Sequence, residues 1–199
     1  MDQKDQSEEL LKKRILVFSI FVAGLCSIIY ELLISTTSTY LLGDSIKQFS
    51  ITIGVYMAAM GLGSYLSRLF KEQLIQKFII TEILLAFVGG ISVPLLYLTF
   101  VYVDNWGFSF MMIFMIILIG VLTGLEIPLI TRIMKKYYPL KINLSNVLSL
   151  DYAGALIATL IFPFILLPWL GTFKSSLIFG MVNLGIGFLN FWIFSEETK

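Results

Sequence analysis

Residues 108–132 read FSFMMIFMIILIGVLTGLEIPLITR, and residues 108–125 carry no charged side chain. The hydrocarbon core of a bilayer is about 30 Å thick, so a crossing helix needs about 20 apolar residues. Inside hydrocarbon, only a helix or a closed barrel gives every backbone N–H and C=O a partner. The stretch shows no strand-like alternation of polar and apolar residues. It therefore predicts a transmembrane helix.

The same signature recurs on both sides, near 15–37, 48–69, 78–103, 149–170 and 173–194. The expected fold class is all-α: a polytopic membrane helix bundle of about six transmembrane helices. Only Asp104-Asn105-Trp106-Gly107 separates the third run from the fourth, and only Gly171-Thr172 separates the fifth from the sixth. Turns this short predict antiparallel neighbours. Composition agrees. The chain has 199 residues, 58% of them hydrophobic and 14% charged, with a mean hydropathy of +0.91. Soluble domains carry about 25% charged residues, so lipid is the expected solvent.

Orientation follows from lysine and arginine. Lys4, Lys12, Lys13 and Arg14 precede the first run. Arg68, Lys71 and Lys77 lie between the second and third, and Arg132, Lys135, Lys136 and Lys141 between the fourth and fifth. The alternate connections hold only Lys47 and Lys174, which makes eleven basic residues against two. Both ends are expected in the cytoplasm of a bacterial cell, with the bundle in the inner membrane. The expected division is a basic cytoplasmic segment over 1–14, a six-helix transmembrane domain over 15–194 and a cytoplasmic tail over 195–199. Trp106 and Trp169 fall at expected outer ends, and Tyr137 and Tyr138 at the inner face, as aromatic belts do. The first apolar run starts only at Ile15 and has no small-residue cleavage site, so no cleavable signal peptide is expected.

Several chemistries are disfavoured. The single cysteine, Cys26, allows no intrachain disulfide and reads as a small buried hydrophobe. There is no histidine, hence neither the commonest general base nor the commonest metal ligand. No metal site and no catalytic residue are expected. The eight methionines, among them Met111, Met112 and Met115, read as packing residues. No glycine-rich strand-to-helix loop occurs, and no polar stretch is long enough for a folded soluble domain. The partner expected first is the lipid bilayer, and no nucleic acid is expected.

The intramembrane polar residues hold the functional interest, because ionisable groups inside a bilayer are rare and commonly functional. Glu31 lies about 24 Å along the first helix from its cytoplasmic end, as a ligand- or proton-binding carboxylate or as a bonded structural acid. Glu126 sits late in the fourth run, two residues before Pro128. Proline frees the carbonyl of Gly124. With Gly120 and Gly124 for close packing, the segment reads either as a broken helix holding a cation or as a tightly packed kink. Asp151 and Glu82 are placed near the starts of the fifth and third runs, where an acid complements the helix dipole. Arg68 and Arg132 end the second and fourth runs. They are candidates to pair with Glu126, Asp151 or Glu82 in an inner-face ion network, or to meet lipid phosphates.

Certain strings carry a family likeness. They include 24–33, with Tyr30-Glu31; 40–45, ending Leu42-Gly43-Asp44-Ser45; 59–68, ending Ser67-Arg68; Gly124-Leu125-Glu126-Ile127-Pro128 through Thr131-Arg132; Ser145-Asn146 through Asp151-Tyr152-Ala153-Gly154; and Pro168-Trp169-Leu170-Gly171. In this order they resemble the N-terminal membrane region of bacterial membrane-bound spermidine synthases, the polyamine aminopropyltransferases. The likeness covers about 15–190. In that family a cytoplasmic transferase domain follows the last span and uses decarboxylated S-adenosylmethionine with a diamine. No such domain falls within these residues, so no catalytic residue carries over. The resemblance implies a membrane module that anchors or partners a soluble aminopropyltransferase, or binds polyamine, with a homodimer as another partner. A looser, fold-level analogy links the second run and its basic loop to half of a major facilitator transporter. It suggests a small transporter, and a non-catalytic remnant is the third reading.

Overall fold

The computed structural model describes residues 3–137 and 139–195. Tyr138 and the expected tail beyond Ser195 lie outside the described residues, as do the side chains of Lys4 and Lys141. The fold is helical throughout the described residues: α1 (Gln3–Leu42), α2 (Ser45–Leu66), α3 (Leu74–Tyr102), α4 (Asn105–Met134), α5 (Leu140–Ile161) and α6 (Leu167–Ile193). A 3-10 turn, Ser67–Leu69, closes α2, and a wide π turn, Phe162–Leu166, joins α5 to α6.

The count of membrane-crossing helices departs from the expected six. Five helical stretches are long and apolar enough, because the last spans Ile142 to Ile193. Its 52 residues would extend about 78 Å if straight, more than twice a hydrocarbon core. The run is interrupted at Gly171, whose φ of 69° and ψ of 179° are not helical. Val147, near its start, and Phe194, just past its end, belong to one hydrophobic cluster with Leu16, Phe78 and Met134. The run therefore folds back on itself, and its two limbs return to the end of the bundle where α1 begins.

Local chemistry sets the other ends. Gly43 and Asp44 both take positive φ in the turn before α2, and the Asp44 carboxylate accepts from the Lys47 N–H at 3.2 Å. Asp104 caps α4 by accepting from the Gly107 N–H at 3.0 Å. Two expected boundaries move. α3 begins at Leu74 rather than near 78, and α5 at Leu140, directly after Pro139, rather than near 149. The basic N-terminal residues from Gln3 onward are part of α1. Of the two readings of Pro128, the broken helix does not occur, for α4 stays helical to Met134. In an apolar bundle, neighbouring helices tolerate proline without giving up helical geometry.

α1 is the hub and touches every other helix. α2 packs on α4, α4 on α3, α3 on α6, and α5 on α1. Small residues make the close approaches. A side chain at Gly124 would run into the Met60 backbone, and one at Gly63 into the Val121 backbone. Gly120 lies against Ala59 and Tyr56. On the other side, Gly24 meets Asp151, Gly154 meets Phe21, and Gly90 meets Gly180. Without a hydrophobic drive between helices in lipid, this backbone-to-backbone packing supplies the cohesion. Trp106 and Trp169 are exposed, while Met112 and Met115 are buried in the core.

Candidate functional site

Three carboxyls converge between the helices. Glu82, in the third turn of α3, is fully buried, and Glu126 on α4 is 3% exposed. Glu126 lies within electrostatic reach of both Glu82 and Asp151. Neither oxygen of Glu82 has a hydrogen-bond partner, nor has Oε1 of Glu126. The Tyr30 hydroxyl and both polar atoms of the Asn183 side chain are also buried without partners, as are side-chain atoms of Thr37, Thr39, Gln48, Thr52, Asn143, Ser175 and Asn190. The Tyr30 ring lies against Gly89 of α3, and its hydroxyl feels Glu82 and Glu126. Gly187, one turn after Asn183, brings the α6 backbone against the Glu82 side chain. The carboxyls thus come from α3, α4 and α5, with Tyr30 of α1 beside them.

A bonded polar network borders it. The Tyr56 hydroxyl of α2 donates to the Ser27 carbonyl at 3.1 Å or to Thr123 Oγ1 at 3.2 Å, and sits 2.9 Å from Ser27 Oγ. This joins α1, α2 and α4. The Asn190 amide donates to Ser19 Oγ at 2.7 Å, which ties α6 to α1. The Tyr56 hydroxyl and the Asn190 amide nitrogen are paired there, whereas Oδ1 of Asn190 is not.

The sequence-derived candidates divide accordingly. Glu82, Glu126 and Asp151 come together. Asp151 is half-buried beside Gly24 and lies twelve residues into α5, far from the first turn. The helix-dipole reading of Asp151 and Glu82 is corrected for this reason: both helices start earlier than their apolar runs suggest. Glu31 is half-buried and stands apart, with Tyr56 within electrostatic reach of it and of Glu126. Gly120 and Gly124 serve packing.

Among the described residues, Arg68 and Arg132 form no ion network with the acids. Arg132 donates to the carbonyls of Pro128 at 3.2 Å, Phe70 at 2.8 Å and Ser67 at 2.6 Å. It fastens the α2–α3 connection to α4 by satisfying carbonyls that helix ends leave open. Arg68 is exposed and stacks 4.0 Å from the centre of the Tyr65 ring. Sequence reasoning missed Tyr30 and Asn183. A polar residue in mid-run was the available signal, and Asn183 offers it plainly.

A polyamine aminopropyltransferase of Leptospira interrogans is 42% identical over 178 residues, covering 89% of this chain and 35% of its own length. The chain shares its ancestry with the polyamine aminopropyltransferases. Polyamine aminopropyltransferase 2 of Ralstonia nicotianae is 39% identical over 185 residues, and a polyamine aminopropyltransferase of Oceanobacillus iheyensis is 31% identical over 189. Each match takes in more than nine-tenths of this chain but little more than a third of the relative, 36% and 37%. The chain therefore spans about a third of the length of the polyamine aminopropyltransferases it matches. No family model matches it, and no solved structure does.

Proposed function

We propose that this chain is the inner-membrane module of an aminopropyltransferase system, holding a soluble aminopropyltransferase at the cytoplasmic face and offering its buried carboxyls to polyamine. One observation carries the reading. Nearly the whole chain matches polyamine aminopropyltransferases, and the matching third is an all-helical bundle of membrane-spanning type. Decarboxylated S-adenosylmethionine belongs to the transferase in this reading. The cytoplasmic placement of both ends rests on the excess of lysine and arginine there. The test is purification of the tagged chain in mild detergent from cells that contain a soluble aminopropyltransferase. The enzyme is expected to co-purify; its absence from the eluate, with the enzyme present in the lysate, overturns the anchoring role.

A second reading, a small transporter completed by a second copy, is favoured by the carboxyls left without protein partners at the bundle centre. It expects uptake of labelled putrescine or spermidine by proteoliposomes, lost in Glu31→Gln and Glu126→Gln. Wild-type uptake in both variants removes it.

A further inference from the structure

We propose that the first turns of α1, centred on Leu10 and Leu11, are the surface that holds the soluble aminopropyltransferase. The inference rests on the anchoring role and gives it a place. α1 runs without interruption from Gln3 to Leu42, 40 residues or about 60 Å. A hydrocarbon core takes up about half of that length. The apolar run starts at Ile15, so Leu11 and Leu10 stand about 6 and 8 Å beyond it, at the rim of the headgroups. Glu8 and Glu9 stand further out. The segment is held upright. Leu16 is buried in one cluster with Phe194, and Lys12 Nζ lies 5.7 Å from the centre of the Phe194 ring. No proline or glycine between Gln3 and Ala23 lets the helix bend down onto the membrane surface.

A helix turn at this height gains nothing by showing leucine to water. Leu10 and Leu11 are nonetheless 47% and 51% exposed. As adjacent residues they cover about 100° of the helix surface. They lie between an acidic level, Glu8 and Glu9, and a basic level, Lys12, Lys13 and Arg14. An exposed apolar patch rimmed by charge is the pattern of a protein-binding surface. The segment is also grooved on its flanks. A groove of about 240 Å³ runs against α6, where Glu8 and Leu11 lie opposite Trp192 and Ile193. Another, of about 190 Å³, runs toward the end of α4, where Glu9 and Leu10 lie opposite Tyr137. The leucines thus form a ridge between two hollows, which a folded partner can grip.

Charge selects the occupant. The cytoplasmic leaflet is negative; it attracts the basic level and repels the acidic level that lies outside the leucines. The next four residues of the chain, Glu196-Glu197-Thr198-Lys199, bring no apolar side chain to cover them. A second copy in the same membrane has the same orientation, and a two-fold axis along the membrane normal sets equal heights against each other. Glu8 and Glu9 would then meet their own equivalents, and so would Lys12, Lys13 and Arg14. Like charges opposed at both levels work against that contact. A soluble partner is under no such restriction and can set opposite charges against each level.

The test is co-purification of the aminopropyltransferase with the full chain in mild detergent, extended to two double variants. Leu10→Ser with Leu11→Ser is expected to lower the bound enzyme about tenfold or more. Leu10→Met with Leu11→Met keeps the patch apolar and should retain it. Membrane yield and a single sharp elution peak report whether each variant is folded. Enzyme bound equally by the folded serine variant and the wild type overturns this surface and leaves the anchoring role standing. No enzyme on the wild-type chain overturns the anchoring role, and the surface with it. Should the serine variant fail to fold, a photo-crosslinker decides. Leu11→p-benzoylphenylalanine in intact cells is expected to trap the transferase. Trapping of a second copy, of lipid alone or of the chain's own tail assigns the surface to that occupant and overturns the proposal.

Discussion

Arg132 illustrates how a charge near a bilayer is used when no acid meets it. Its planar fork reaches Ser67 and Phe70 across the α2–α3 connection while its Nε bonds within α4. A lysine offers one point charge and cannot serve carbonyls in these separate directions. Arg132→Lys is therefore expected to destabilise the bundle almost as much as Arg132→Ala, by about 1–3 kcal/mol. Equilibrium unfolding in mixed micelles measures it, and wild-type stability in the lysine variant contradicts the role. Tyr56 is the milder case. Its hydroxyl has several alternative partners on Ser27 and Thr123, and hydrogen bonds between membrane helices average about 0.6 kcal/mol. Tyr56→Phe should cost no more than about 1–2 kcal/mol in the same assay; a larger loss would mean that the hydroxyl also governs the neighbouring carboxyls.

At the scale of helices, glycine positions that look alike in the sequence separate sharply. Gly63 and Gly124 sit where any side chain meets the backbone of the facing helix, whereas Gly54 and Gly61 on the same α2 face open space. Gly124→Val should push α2 from α4 and lower stability by about 1–3 kcal/mol. Gly54→Ala and Gly61→Ala should stay within about 1 kcal/mol of wild type, or gain from better helix propensity; comparable losses at all three positions would contradict this packing. The helices themselves were legible because long apolar runs have no alternative to helix in lipid. Their starts were not. Residues 74–77 and 140–146 mix polar and apolar side chains and read as loop, so Glu82 and Asp151 were set in first turns where a dipole accounts for them. In the fold Glu82 stands about one turn, and Asp151 about two and a half turns, further inside its helix than its apolar run suggests. Glu126 was legible because Gly124 and Pro128 flank it. The ion network failed because charge alone says nothing of distance, and the arginine found carbonyls nearer than acids.

The whole molecule depends on where the last 52 residues turn back. Tyr97 Oη and Thr172 Oγ1 lie 3.2 Å apart, and Phe100 packs edge-on against Phe108, so the Gly171 turn joins the end of the bundle where α3 passes into α4. Leu66, Phe70 and Leu74 pack instead on the cluster that holds Leu16 and Phe194. Reporter fusions at Asp44, Asn105 and Thr172 are therefore expected on one side of the membrane, and those at Lys71 and Lys141 on the other. Thr172 is the decisive position: a reporter there that reads the same side as Lys71 removes the fold-back. The turn also makes a backbone prediction free of steric confusion. Gly171 has nothing within 4 Å of where a side chain would begin, so a methyl group has room there. Its φ of 69° with ψ of 179° nonetheless falls in a region that essentially only glycine occupies, at about 1–3 kcal/mol for other residues. Gly171→Ala should thus lower stability by about that amount although it fills empty space, while Gly54→Ala, equally unobstructed but helical, does not. Equal stability of the two variants would mean that the chain turns elsewhere, and the limb that carries Asp151 to the central carboxyls would have to be redrawn.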